Sequence, residues 1–181
     1  MRAFLGLPVP EPWIGPLMRA QGRIPGGRSV PADDLHLTLA FLDDQPEARL
    51  EALHDALEAR AAPAVTLTAT GYASFGSKRA RLVALDVAAT PELSALRKRI
   101  RNACRGAGID LPRERFRPHV TLVRFPAAAP PDPARLPRAL AGLGLPEMAP
   151  AEARLAVLWG SDLTPSGPVY TPLAQYPLRA A

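Results

Sequence analysis

The sequence has little of several residue types, and each scarcity excludes a class of protein. Its 181 residues include a single cysteine, Cys104, so neither a disulfide framework nor a cysteine-based zinc site can form within the chain. No run of about 18 apolar residues occurs, which argues against a transmembrane helix. The first residues carry prolines where a signal peptide would have an apolar stretch. We therefore expect a cytoplasmic protein without membrane association, and nothing in the sequence indicates an obligate protein partner.

Lysine is also scarce, and arginine supplies almost all of the positive charge. Lys78 and Lys98 are the only lysines among 22 basic residues, and the net charge is +5. Planar guanidinium groups bind phosphate well, so this composition favours nucleic acid or nucleotide partners. A codon bias toward Arg, Ala and Pro would give a similar composition. The basic segments 97–101 and 113–117 are either solvated faces or, above all the second, contacts for an RNA backbone.

The pattern of apolar residues predicts an α+β fold. Apolar residues at helical spacing and flanking prolines predict helices within 45–63 and 90–108, the second capped by Thr90. Alternating segments predict strands at about 35–42 and 115–125, and further strands within 64–75, 80–87, 153–163 and 169–178. A proline-rich loop is expected over 126–137, and a turn at TPSGP, 164–168.

The order of these elements is similar in the two halves of the chain. Hairpin-like connections dominate, which indicates mainly antiparallel pairing and excludes a doubly wound parallel sheet. We expect one bilobal domain over residues 1–181. It would consist of two pseudo-symmetric units of sheet with helices outside and a central cleft.

Two of the three histidines head the same four-residue pattern. His-x-Thr-Leu occurs at His36 as HLTL and, 83 residues later, at His119 as HVTL. Side chains alternate along a strand, so His36 and Thr38 point to one face, as do His119 and Thr121. If the two halves face each other, the motifs form a cleft with two imidazoles and two hydroxyls. His54 lies in a predicted helix without such a threonine, and we expect it at the surface or its boundary.

Two imidazoles across a cleft are suited to paired proton transfer. Near neutral pH one ring can accept a proton while the other donates one. Such a pair can break a P–O bond without a metal, and the threonine hydroxyls can donate to the non-bridging oxygens. Hydrolysis of a strained cyclic phosphodiester fits these groups. We expect no metal, because a zinc site would need a third ligand near the two histidines, and Asp33 and Asp34, which precede His36, are interpreted as turn residues. We expect no nucleotide cofactor, because the sequence has no Gly-rich phosphate loop.

The paired motifs resemble the two HxTx signatures of the 2H phosphoesterase superfamily. Within it, the chain is similar to the RNA 2′,3′-cyclic phosphodiesterases, also called 2′-5′ RNA ligases. The similarity extends over MRAFLGLPVP, LHLTLAFL, ARLEALHDALEA, FRPHVTLVRF and SDLTPSGPVYTPLAQYPL. The resemblance implies that RNA with 2′,3′-cyclic phosphate ends, or cyclic nucleotides, are hydrolysed to 2′-phosphomonoesters.

The resemblance also implies a role for each residue of the motifs. His36 corresponds to the proton donor for the leaving 3′ oxygen, and His119 to the acceptor that activates water. Thr38 and Thr121 correspond to phosphate ligands. Arg124 matches an arginine that follows the second motif, although strict strand alternation over five residues would turn it away from the face of His119.

Two other functions remain open at this point. The first is the joining of RNA ends through a 2′-5′ linkage. The second is a non-catalytic module that binds RNA ends. The presence of both histidines and both threonines argues against the second, because binding alone requires no proton donor.

Overall fold

The two strands that carry the motifs lie side by side at the centre of one antiparallel sheet. The computed structural model describes residues 1–165 and 167–179. Its helices are α1 (Glu11–Gly22), α2 (Glu47–Glu58), α3 (Pro91–Gly106) and α4 (Arg135–Leu143). Its strands are β1 (Arg2–Pro8), β2 (Arg28–Ser29), β3 (His36–Asp44), β4 (Val65–Leu67), β5 (Ala69–Phe75), β6 (Leu82–Val87), β7 (His119–Arg124), β8 (Ala151–Ala153), β9 (Leu155–Thr164) and β10 (Gly167–Pro177).

The main sheet has the strand order β10-β9-β1-β3-β7-β6-β5, and β2 pairs with β7 beside this path. All of these pairs are antiparallel, as are β4 and β8, which form a separate two-stranded sheet. The prediction of an α+β fold with mainly antiparallel pairing is confirmed. One sheet includes strands from both halves of the chain, which favours a single domain. The assignment of residues 1–181 to one domain stays a prediction.

The helices cover the sheet with apolar faces that the sequence spacing predicts. In α3, Leu93, Leu96, Ile100 and Cys104 recur at helical spacing and are all buried. The Thr90 hydroxyl accepts a hydrogen bond from the Leu93 amide at 3.2 Å, which confirms the predicted cap. Within the described residues, no helix combines the length and the apolar character needed to span a bilayer.

The structure differs from the sequence-based prediction in helix α4 and in the strand expected over 64–75, and it adds the short strands β2 and β8. Helix α4 begins inside the expected proline-rich loop, because the Asp132 carboxylate accepts hydrogen bonds from the amides of Ala134 and Arg135, at 2.8 and 3.1 Å. Leu136 then enters the core. The strand expected over 64–75 is split into β4 and β5, which belong to different sheets. The turn expected at TPSGP includes Ser166, which lies outside the described residues.

Candidate active site

The two motif strands are paired at a single position. Among the described residues, β3 and β7 share only the pair Leu37 and Val120, the residue between His and Thr in each motif. Extending this antiparallel register by one residue places each motif's histidine opposite the other motif's threonine. The two motifs are therefore related by a local pseudo-two-fold axis through this pair.

Beyond this pair the two strands diverge, because β2 takes the place of β3 at the edge of β7. Arg28 pairs with Arg124, and the Val30 amide donates to the Leu122 carbonyl at 2.8 Å. The buried Gln21 amide holds this junction, since its Nε2 donates to the carbonyls of Val30 and Leu122. A cleft of about 380 Å³ lies over the motifs.

All five residues predicted from the sequence line this cleft. They are His36, Thr38, His119, Thr121 and Arg124. Arg2 is the other charged residue in the wall, and no Asp or Glu among the described residues contributes to it. Two guanidinium groups and two imidazoles line the cleft, so its composition is suited to an anion.

The position of Arg124 results from a β-bulge. Ala84 of β6 pairs with Thr121, and the next residue, Val83, pairs with Val123, so Leu122 is an extra residue in β7. The extra residue reverses the alternation after the motif, so Arg124 faces the cleft. The expectation from strict alternation, that Arg124 points away from the face of His119, is wrong for this reason.

The first motif also contains a β-bulge. In the pairing of β1 with β3, Gly6 lies opposite Thr38 and Leu5 opposite Ala40, so Leu39 is the extra residue. Phe41 is consequently turned toward the cleft, five residues after its histidine as Arg124 is after the other, and it is 45% exposed. In both motifs the leucine of His-x-Thr-Leu is the bulged residue.

Both imidazoles are held by a backbone carbonyl two residues upstream. The Nδ1–H of His36 donates to the Asp34 carbonyl at 2.6 Å, and that of His119 donates to the Arg117 carbonyl at 2.8 Å. A carbonyl oxygen can only accept, so Nδ1 carries the hydrogen in both rings. Nε2 of each ring is then the nitrogen left to exchange protons with a substrate.

The surroundings of His36 are aromatic. Its ring lies 4.7 Å from the Phe4 ring, 5.3 Å from Trp159 and 5.4 Å from Tyr170, measured between ring centroids. The pKa of His36 is lowered from 6.5 to about 4, chiefly by burial. The charges of Arg124 and His119 lower this pKa as well, whereas the hydrogen bond to the Asp34 carbonyl acts in the opposite direction. His36 is therefore neutral at neutral pH when the cleft holds no anion.

The surroundings of His119 include charged groups. Its ring lies 4.6 Å from that of Phe75, and the Arg117 guanidinium carbon lies 3.9 Å from the same Phe75 ring centroid. Arg117 also contacts both carboxylate oxygens of Asp86 at 3.3 Å. No pattern in the sequence indicates these neighbours, or the aromatic residues around His36. Apart from Arg117, which lies two residues before His119, they come from strands distant in the chain, and the sheet register brings them together.

The basic segments 97–101 and 113–117 line a second groove of about 600 Å³, which shares Thr38, Phe41 and His119 with the cleft. Arg97 donates to the Leu39 carbonyl at 3.2 Å and lies over the Phe116 ring, which packs against the core. Acidic side chains line the same groove as often as arginines do. The prediction that these segments contact RNA stays a prediction.

The remaining candidate residues lie apart from the cleft. Cys104 is fully buried in α3 and its pKa is raised to about 11 by burial, as expected for a structural thiol. His54 contacts the Tyr176 hydroxyl at 3.1 Å and Glu58 at 3.7 Å on the α2 surface. In the described part of the chain, no three His, Cys, Asp or Glu side chains are grouped closely enough to hold a metal ion.

Comparisons with known proteins identify relatives along nearly the whole chain. A Thermus thermophilus protein named RNA 2′,3′-cyclic phosphodiesterase is 35% identical over 193 aligned residues, covering 99% of this chain and 91% of the relative. A crystal structure of a Thermus thermophilus protein matches with a TM-score of 0.80 and 26% identity, covering 99% of both chains. Escherichia coli LigT complexed with ATP matches with a TM-score of 0.73 and 25% identity, covering 98% of this chain and 97% of the other.

A family model gives the same assignment independently of any single relative. It is described as the 2′-5′ RNA ligase superfamily and matches residues 8–158, a range that contains both motifs. Together with the relative that is 35% identical over almost the whole chain, this match identifies the family. The chain belongs to the 2′-5′ RNA ligase superfamily.

Proposed function

We propose that this protein hydrolyses RNA 2′,3′-cyclic phosphate ends, and cyclic nucleotides, to 2′-phosphomonoesters. The observation that supports it is the cleft itself. Two imidazoles, two threonines and Arg124 line one cleft, and its described lining includes no acidic side chain. Nδ1 of each imidazole is bonded to a backbone carbonyl, which leaves Nε2 for the substrate. The relatives that carry the name RNA 2′,3′-cyclic phosphodiesterase support the same substrate.

In the proposed reaction, each motif supplies one proton transfer. Nε2 of His119 accepts a proton from water as the water oxygen forms a bond to phosphorus. The bond between phosphorus and the 3′ oxygen breaks, and His36 donates its Nε2 proton to that oxygen. The Thr38 and Thr121 hydroxyls and the Arg124 guanidinium donate to the non-bridging oxygens, where negative charge accumulates in the transition state.

The environment of His36 places a condition on this mechanism. A proton donor must be protonated in the substrate complex, yet the pKa of His36 is about 4 when the cleft is empty. A bound phosphodiester anion favours the charged imidazole, because an opposite charge nearby raises a histidine pKa. If His36 is the donor, substrate binding must therefore bring a proton into the protein.

This proton uptake is directly measurable. At about pH 6, binding of uridine 2′,3′-cyclic phosphate to the His119→Ala variant should take up close to one proton, seen by calorimetry in buffers of different ionisation enthalpy. The variant leaves His36 in place and slows turnover. The double variant His36→Ala/His119→Ala should show no uptake. Binding without uptake in the single variant would exchange the roles of the two histidines.

The lowered pKa of His36 also affects the folding stability of the ligand-free protein. The unfolded chain binds this proton near the ordinary histidine pKa of 6.5, and the folded protein only near 4. The unfolded state therefore binds more protons between these values, and the contribution of His36 to stability is lost as the pH falls through this range. A bound anion should reduce this loss.

The reaction and its product are tested with two substrates, a cyclic mononucleotide and an RNA oligonucleotide with a 2′,3′-cyclic phosphate end. Both should be hydrolysed in the presence of excess chelator, because the proposed groups need no metal. Chromatography against authentic 2′ and 3′ monophosphates should show the 2′ product.

A dominant 3′ product would reverse the orientation of the substrate, and loss of activity on chelation would contradict metal-independent hydrolysis. Binding of these substrates without turnover would favour the alternative function, a non-catalytic module that binds RNA ends.

End joining is a second candidate, favoured by the description of the family as 2′-5′ RNA ligases. A 5′ hydroxyl in place of water at the same phosphorus would form a 2′-5′ linkage with the same proton transfers. Addition of RNA with a 5′ hydroxyl to the same assay distinguishes the two, because joining lengthens the labelled RNA whereas hydrolysis does not. A cytoplasmic location stays a prediction.

A further inference from the structure

A stack of three side chains lies behind the second motif histidine. The Phe75 ring contacts the imidazole of His119 on one side, with 4.6 Å between ring centroids. The Arg117 guanidinium lies over the same phenyl ring, 3.9 Å from its centroid, and contacts both carboxylate oxygens of Asp86 at 3.3 Å. Asp86 is itself the cross-strand partner of His119 in the pairing of β6 with β7. The stack is therefore closed on itself through the sheet.

Arg117 holds the histidine in two ways at once. Its carbonyl accepts the Nδ1–H of His119 at 2.8 Å, and its side chain packs on the Phe75 ring, which contacts the imidazole. The side-chain bonds to Asp86 fix the backbone of Arg117, and hence the carbonyl that sets the tautomer and the direction of Nε2. In the first motif the corresponding carbonyl belongs to Asp34. Among the described interactions, the Asp34 side chain does not contact a ring beside His36, and three aromatic rings pack against His36 instead.

We propose that Asp86, Arg117 and Phe75 are positioning residues for His119. They keep its Nε2 directed at the water that attacks phosphorus, and they do so from outside the cleft wall. The proposal rests on the proposed function, in which His119 is the proton acceptor.

Stability alone does not account for this arrangement. The Arg117 side chain is 54% exposed, and exposed ion pairs contribute little to folding. Misplacement of a catalytic group by about 1 Å, in contrast, can lower a rate by about 10²-fold. The stack should therefore affect the rate much more than the melting temperature.

Asp86→Ala and Arg117→Met test the proposal with a cyclic mononucleotide as substrate. Each variant should lower kcat by roughly 10–100-fold, with KM changed much less and the melting temperature nearly unchanged. The small substrate matters because Arg117 also lines the second groove. If Arg117 only contacted the body of an RNA strand, its loss would raise KM for an oligonucleotide and leave the mononucleotide reaction unaffected.

Conservative variants separate positioning from a general loss of structure. Phe75→Tyr keeps a ring against the imidazole and should retain most of the rate, whereas Phe75→Leu should lose it. The double variant Asp86→Ala/Arg117→Met should be hardly slower than either single variant, because the two residues act as one unit. Glu152→Gln is the matched control: it removes the negative charge of the Glu152–Arg154 ion pair, at the end of β8 and apart from the cleft, and should change neither kcat nor KM.

Nuclear magnetic resonance gives a readout that does not depend on turnover. The chain has only three histidines, so each imidazole can be assigned by alanine substitution. Asp86→Ala and Arg117→Met should shift the His119 resonances and leave those of His36 and His54 in place. Unchanged resonances together with unchanged kcat would overturn the positioning role. An inactive wild type with shifted His119 resonances would instead reject the proposed function and keep the stack.

Discussion

Alanine in place of His36 or His119 should lower kcat by about 10²–10⁴-fold, the usual effect of losing a positioned acid or base. The reason is that each imidazole offers a single free nitrogen, Nε2, to a cleft whose described lining includes no carboxylate that could replace it. The binding of a cyclic mononucleotide should be weakened much less than the rate. Steady-state kinetics with that substrate and with a cyclic-phosphate-ended RNA measure both parameters.

His54→Ala is the control for the two histidine substitutions. His54 lies on α2, where it contacts Tyr176 and Glu58, and it does not line the cleft. Its loss should leave kcat almost unchanged, with at most a small change in melting temperature. Near wild-type turnover in either motif variant, with the fold verified by circular dichroism, would remove that histidine from the mechanism.

Arg124→Met should lower kcat/KM by about 10²–10³-fold, comparable to the loss of one donor to a developing oxyanion. Arg124 and Arg2 are the only permanent cations among the described lining residues of the cleft. No acidic side chain in that lining reduces their effect on a bound phosphate. Arg124→Lys keeps the charge without the planar pair of donors, and its kcat/KM should lie between those of the wild type and Arg124→Met. Kinetics over a range of salt concentration should show a weaker salt dependence for Arg124→Met than for the wild type.

Arg28→Met is the matched control for Arg124. Arg28 is the cross-strand partner of Arg124 in the pairing of β2 with β7, yet it does not line the cleft. Its replacement changes the net charge by the same amount and should have little effect on turnover. Equal effects of the two substitutions would mean that overall charge, and not a contact in the cleft, explains the role of Arg124.

The sequence was sufficient to identify the motifs and the fold class, because both depend on local spacing. Two His-x-Thr patterns on strands, and helices with clear caps and apolar spacing, are properties of short segments. Helix α4 was missed because prolines on both sides of Asp132 indicate a loop, whereas one carboxylate is enough to begin the helix.

The geometry of the site could not be predicted in the same way. A bulge at Leu39 or Leu122 depends on the partner strand, and the alternation rule does not include it. The aromatic rings around His36 come from β1, β9 and β10, and the Asp86 partner of Arg117 comes from β6. Their approach is a property of long-range register, on which a single sequence carries no direct information.

The single backbone pair between β3 and β7 gives the sheet a line of weak cohesion at its middle. Central strands are usually tied to their neighbours along their length, whereas this edge of β7 pairs with β3 at one position and then with β2. A phosphate bound between a threonine of one motif and a threonine of the other would bridge the same line. The ligand would then be a cross-link between the two halves of the molecule.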